Sequence, residues 1–250
     1  MANLLYFCGV ITNYDILEFA SNRGIFTAKD IKLYLSTKDM EIDSKSLAVR
    51  LSRMVASGEL RKHERGKYEI SPNVFIPTWN EKMELLYNTI STAFPFISFC
   101  IWDIMDLRRF SHHINNQEII YIDVEKDGAE AVFHYLQNHK VVGDKVVALS
   151  PSIEDYERYI GSRPAIVVRQ LVSRAPLSDN NKTTLEKIMV DANIDHDFFA
   201  FQGYEIQRIF RNIYSKVKVN ERRLMAYAKR RHGQTIIQQL INNKDNYDND

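Results

Sequence analysis

Between residues 44 and 71 the chain reads SKSLAVRLSRMVASGELRKHERGKYEIS. Residues 44 to 67 hold seven Lys or Arg against two Glu, a local charge of +5 in a chain whose total is +1. At about 100° per residue, Leu47, Leu51, Met54 and Val55 fall on one arc of a helix, and Ser46, Val49, Arg50 and Arg53 on the neighbouring arc. Guanidinium and hydroxyl groups on such a flank can reach base edges and phosphates if the helix enters a major groove. A hairpin with Glu64-Arg65-Gly66 at its turn then brings Arg61, Lys62, Arg65 and Lys67 nearby as phosphate ligands. The predicted DNA-binding set is Lys45, Ser46, Arg50, Arg53, Arg61, Lys62, Arg65 and Lys67. A solvated basic face on a protein-docking module is the alternative.

A second basic stretch spans residues 204 to 232. It carries Arg208, Arg211, Lys216, Lys218, Arg222, Arg223, Lys229, Arg230 and Arg231 against Glu205 and Glu221, or +7, so everything outside it sums to −6. That separation suits an acidic partner, and all of these cations but Arg231 form the predicted partner-binding set. Lys229, Arg230 and Arg231 also sit in a last helical turn before Gly233, where cations complement the helix dipole.

Catalytic signatures are mostly missing. The sequence has no Gly-x-x-x-x-Gly-Lys loop, no Gly-x-Gly-x-x-Gly and no Gly-x-Ser-x-Gly elbow. GSRPAIVV lacks the paired aspartates of a nucleotidyltransferase. YIDVEKD puts Asp123 and Glu125 on one side of a strand, but Lys126 comes one residue early for the Glu-x-Lys of many nucleases, and an exposed strand end is expected there. His112 with His113, and His134 with His139, are poorly spaced for a shared metal. No metal, no cofactor and no enzyme activity is expected. A nucleic-acid-processing enzyme stays as a rival reading that would need carboxylates gathered around Asp123 and Glu125.

These residues need elements to place them. Residues 11 to 71 predict three helices and a hairpin. The first helix carries Ile11, Tyr14, Ile16, Leu17 and Phe19 and stops at Gly24. The second has Thr27 as N-cap and buries Ile31, Leu33 and Leu35 or Tyr34; the third is capped by Ser44 and ended by Gly58. PNVFIPTWNEK reads as a linker with a boundary near Pro77. Helices and strands then alternate through FISFCIWD, EIIYIDVEK, DKVVALS and AIVVRQLV, and from Lys182 the pattern is helical, with Asn220 capping one helix. The expected fold is mixed α+β: an N-terminal winged helix-turn-helix over residues 1–77, an α/β domain with a helical C-terminal part over 78–242, and a frayed polar tail over 243–250.

At 250 residues the chain can bury two cores. Cys8 and Cys100 read as buried free thiols, and Trp79 and Trp102 as core or interface aromatics. The apolar start lacks any Lys or Arg before Arg23, which predicts no secretory signal, and no apolar run reaches a membrane span, so the expected location is the cytoplasm.

GIFTAKDIKLYLS, SLAVRLSRMVASGELRKHERGKYEIS and LVSRAPLSDNNKTTLEKIMVDANID together resemble the AbiEi-type antitoxin and transcriptional-regulator family of type IV toxin–antitoxin systems. The matching features are Leu47 and Leu51, the Gly58-Glu59-Leu60 step and the Arg65-Gly66-Lys67-Tyr68 turn. Further on come Thr184, Glu186, Lys187 and Asp191. The resemblance implies autorepression by binding duplex operator DNA, and a second domain that counters a nucleotidyltransferase-like toxin or acts on its substrate, without a stable complex. It also implies a basic face on the C-terminal domain, which gives weight to the +7 stretch.

Overall fold

The computed structural model describes residues 11–112, 117–161, 163–178 and 181–243. Cys8, His113 and the tail 244–250 lie outside them. The chain divides into two compact units, the first ending at Ile76 and the second beginning at Pro77.

In the first unit α1 (Asn13–Ser21) starts from a capping box between Thr12 and Asp15. Its C-cap is Asn22, so Gly24 does not end the helix; at φ +68° Gly24 serves the turn into β1 (Phe26–Thr27) instead. A second capping box, Thr27 with Asp30, opens α2 (Ala28–Thr37). Ile31 and Leu35, four apart, are buried, whereas Leu33 is 66% exposed. Two residues from Ile31 is about 200° around the helix, so Leu33 cannot share its face. In α3 (Ser44–Ser57) the N-cap is Asp43 and not Ser44: the Asp43 carboxylate accepts from the N–H groups of Lys45 and Ser46, and its full charge meets the positive helix end. Gly58, at φ +81°, closes α3 in the left-handed region. The hairpin is β2 (Leu60–Glu64) and β3 (Lys67–Ile70), turning on Gly66 at φ +75°. β1 joins the far side of β3, giving an antiparallel order β1-β3-β2. Ile16, Phe26, Leu47, Leu51, Met54 and Leu60 close one core.

The second unit is built on a four-stranded sheet. After α4 (Glu81–Ala93) come β4 (Phe99–Asp103), α5 (Met105–Arg108), β5 (Ile119–Val124) and α6 (Ala129–Gln137). Then follow β6 (Val146–Leu149), α7 (Ile153–Asp155, continued by a π turn over Tyr156–Ile160) and β7 (Ala165–Gln170). The order is β4-β5-β7-β6; β4 runs antiparallel to β5, and β5, β7 and β6 are parallel. Strand alternation sends Ile120, Ile122 and Val124 to a face covered by α4 and α6, where Met83, Leu86, Val132 and Leu136 complete an apolar core. The opposite face carries Tyr121 and Asp123. Trp102 stacks on Tyr121 there, with ring centroids 4.6 Å apart.

That face is covered by the C-terminal helices. Thr184 caps α8 (Leu185–Ile194), and a 3₁₀ turn, His196–Phe201, follows it. α9 (Tyr204–Lys216), α10 (Glu221–Arg230, capped by Asn220) and α11 (Gln234–Asn243) complete the unit. The fold is mixed α+β. Among the described residues no helix is long and apolar enough to cross a membrane.

Candidate functional site

Two groups of charged side chains stand out, one on the surface of the first unit and one inside the second. Their physics differs throughout.

On α3 the buried stripe Leu47, Leu51 and Met54 fixes the rotation of the helix and leaves Lys45, Ser46, Val49 and Arg53 in solvent. Arg50 is only half exposed, because its Nη1 donates to Asn13 Oδ1 at 3.1 Å. On the hairpin all four cations are exposed, but they do not act alike. The Arg61 Nε lies 2.7 Å from Glu69 Oε1, directly across the strand pair, and its guanidinium holds the Glu69 carboxyl below its usual range. Lys67 Nζ sits 2.8 Å from Glu64 Oε2. Neighbouring residues of a strand face opposite ways, so Arg61 and Lys62 leave the ribbon on opposite sides. Among the described residues, Lys45, Arg53, Lys62 and Arg65 have neither an ion pair nor a hydrogen bond through their side chains. Exposed pairs such as Arg61 with Glu69 are screened by solvent and weak, so a phosphate can displace the carboxylate.

The +7 stretch does not form one surface. Arg208 and Arg211, one turn apart on α9, line a pocket of about 180 Å³ with His112 and Asn212. Lys216, the last residue of that helix, and Lys218 just beyond it are exposed. On α10, Arg222 and Lys229 are exposed, Arg223 Nη1 reaches Glu186 Oε2 at 3.5 Å, and Arg230 donates to the Ser173 carbonyl and hydroxyl. Arg231 does more than complement a dipole. It turns inward, with Nη1 3.0 Å from Asp191 Oδ1 and Nη2 on Asp195 Oδ1.

Arg231 belongs to the second group. Asp123, expected at an exposed strand end, is 1% exposed, since β5 is covered on both faces. Its Oδ1 accepts from Arg169 Nε at 2.8 Å, and its Oδ2 accepts from Trp102 Nε1 at 2.9 Å and from Lys187 Nζ. Burial alone would raise the Asp123 pKa, but Arg169 and Lys187 overcome it and hold the carboxyl at about 2. With both oxygens engaged, Asp123 has nothing left to offer a metal, and Glu125 lies beyond the strand end. Lys187 also reaches Asp191 Oδ2 at 2.8 Å across one helical turn, and Tyr227 Oη donates to Asp191 Oδ1 at 2.9 Å. Arg169 Nη1 continues to Asp197 Oδ2 at 2.9 Å and Asp195 Oδ2 at 3.4 Å. Its guanidinium packs among Tyr121, Phe198 and Trp102, at 4.6, 5.2 and 5.7 Å from their ring centres. Burial opposes the charge on Arg169, yet the surrounding aspartates raise its pKa well above the ordinary value.

The spacing of Arg169, Lys187, Asp195 and Asp197 in the sequence does not point to a shared site. The available signal was a charge inside an apolar run, as in AIVVRQLV and TTLEKIMVD. The resemblance residues Thr184, Glu186, Lys187 and Asp191 gain a physical meaning here: all four are buried. Glu186 Oε1 accepts from the Asn220 N–H that starts α10, while Lys187 and Asp191 link the sheet to α10.

The family model described as "Family of unknown function (DUF6577)" matches residues 46–247. A second, described as "Transcriptional regulator, AbiEi antitoxin", matches residues 14–71, from the second residue of α1 to just past β3. No curated protein matches the chain.

Proposed function

The chain belongs to that family of unknown function, and on this premise, with the regulator-like segment at its N-terminus, we propose that it is a DNA-binding transcriptional regulator of the antitoxin type. It acts in the cytoplasm as an autorepressor of its own operon and counters a nucleotidyltransferase-like toxin, and it is not an enzyme. In this reading the first unit is a winged helix whose α3 enters a major groove. Lys45, Ser46, Arg50 and Arg53 then face base edges and flanking phosphates, while Arg61, Lys62, Arg65 and Lys67 hold the phosphates beside the groove. Arg208, Arg211, Lys216, Lys218, Arg222, Arg223, Lys229 and Arg230 supply the basic surface for the toxin or its substrate.

One observation carries the DNA-binding part. The exposed flank of α3 and the tip of the hairpin present cations that the fold leaves unpaired, Arg53 and Arg65 foremost, in a chain of net charge +1. A field that local has no role in holding the core and suits a polyanion. The test is a gel shift with the DNA upstream of its own gene at two salt concentrations. Binding is expected to weaken steeply as salt rises, because each neutralised phosphate releases counterions. Arg53→Ala with Arg65→Ala should abolish the shift at the higher salt and leave the melting temperature unchanged. Retained binding by that double variant, or binding indifferent to salt, overturns the proposal.

A further inference from the structure

The parallel strands β5, β7 and β6 end together, and a cavity of about 380 Å³ opens at their C-terminal edge. Asp123 and Arg169 line it from the strands, and Lys187, Asp191, Asp195 and Asp197 from α8 and the segment after it. The carboxyl ends of parallel strands are where open α/β sheets place ligands, and this volume suits a small metabolite. Neither family description assigns anything to it.

We propose that this cavity binds a small organic cation, an amine or guanidinium, held by Asp195 and Asp197. The lining has four aspartates and three permanent cations, so one carboxylate is in surplus. The shortfall can be placed. Asp123 and Asp191 are satisfied on both oxygens. Asp197 is not: its Oδ2 takes Arg169, but its Oδ1 is buried with no hydrogen bond among the described residues, in a side chain only 6% exposed. His196 Nε2 is 3.4 Å away, counters the charge only when protonated, and lies 3.0 Å from the Pro151 carbonyl. Leaving such an oxygen unpaired is costly, and a ligand N–H would relieve it.

Asp195 stands beside it, 22% exposed at the side chain. Its Oδ1 takes Arg231 and its Oδ2 meets Arg169 only at the long distance of 3.4 Å, and burial with the neighbouring Asp191 charge pushes its pKa up against both arginines. An anion is disfavoured. Arg169 is shut in by three aromatic rings, and Lys187 is 1% exposed, so a phosphate would first have to displace buried aspartates. Ser150 borders the mouth in a left-handed conformation, φ +40°, that a non-glycine residue keeps only where its surroundings impose it.

The experiment is calorimetric titration and thermal shift of the intact chain with agmatine and putrescine, and with inorganic phosphate and adenosine monophosphate as anions. Saturable binding of at least one of the two cations is expected, with neither anion competing. Asp197→Asn should weaken it at least tenfold. Because that change also takes charge from beside Arg169, Gln170→Trp serves as the second variant: residue 170 is exposed at the mouth, so an indole there fills the opening with the ion pairs intact. It should keep the melting temperature and lose the binding. No saturable response to either cation up to about 10 mM, binding of phosphate in their place, or unchanged affinity in both variants overturns the proposal.

Discussion

The surface of α3 and the interior behind β5 use the same side chains for opposite ends. Around α3 and the hairpin, arginines and lysines stand in water; their pairs, where present, are exposed and worth little, and several have no partner among the described residues. Behind β5, Arg169, Lys187 and Arg231 are withdrawn from water and answered almost atom for atom by aspartates. A cation left in solvent is available to a partner and costs the fold nothing. A buried cation is committed: its desolvation is offset only while every partner stays in place, which makes the cluster a strict geometric requirement on β5, β7, α8 and α10 together.

The sharpest way to break this contrast is to remove one buried cation. Lys187→Met keeps the unbranched side chain out to Cε, removes only the ammonium, and leaves Asp123 and Asp191 each short of a partner. The expected loss is about 3–5 kcal/mol. Both tryptophans, Trp79 and Trp102, lie in the second unit, so their fluorescence in a denaturant titration reads that unit alone. A loss under about 1 kcal/mol would mean the cluster is solvated like the surface group.

Acid titration probes the same cluster without mutation. The folded-state pKa of Asp123, about 2, lies below the ordinary 3.8, so the fold favours its ionised form. That contribution is full above pH 4 and disappears as the pH falls through 2, and it amounts to roughly 2 kcal/mol. Asp106 has the opposite sign. Burial raises it to about 6 against the pull of Arg109 and Thr78, so its contribution declines as the pH rises from 4 to 6. Tryptophan fluorescence should therefore show an acid transition below pH 4 in the wild type. Asp106→Asn should flatten the slope between pH 4 and 6 and leave the lower transition in place.

The two regions also differ in how far the sequence reveals them. The first unit was legible because its logic is local: Leu47, Leu51 and Met54 recur at helical spacing, Thr27 and Gly58 punctuate, and every cation falls within 23 positions. Even so, Asp43 displaced Ser44 as the cap, and Arg61 turned out to be paired with Glu69, details set by competition between near-equal neighbours. The cluster was not legible, since Asp123 meets Arg169 only through the parallel pairing of β5 with β7, and Lys187 and Arg231 join them from α8 and the end of α10. YIDVEKD looks like a strand end to any local rule. What covers it is α8, some sixty residues later.

On the surface side, Arg65→Ala tests a cation with no partner. Losing one phosphate contact should reduce the slope of log affinity against log salt by about 1, uniformly over DNA sequences, with stability unchanged within about 0.5 kcal/mol. Anisotropy titrations at three salt concentrations would read it. A sequence-dependent loss would instead place Arg65 at a base edge.

The smallest effect is the most discriminating, because it asks whether a paired surface cation is held back at all. Glu69→Gln removes the carboxylate 2.7 Å from Arg61 while keeping a hydrogen-bond acceptor opposite it. If the pair is a weak surface interaction, the fold loses almost nothing, since solvent screens an exposed pair. Arg61 then meets phosphate without first giving up a partner, and the −1 charge that repels DNA is gone. Affinity should rise by a few-fold at low salt, and the gain should shrink as salt screens the site. An unchanged affinity would take Arg61 out of the contact surface and leave Lys62, on the opposite side of the ribbon, as the cation that faces the duplex. The hairpin would then meet DNA by its other face, a rotation that the paired variants Arg61→Ala and Lys62→Ala would separate.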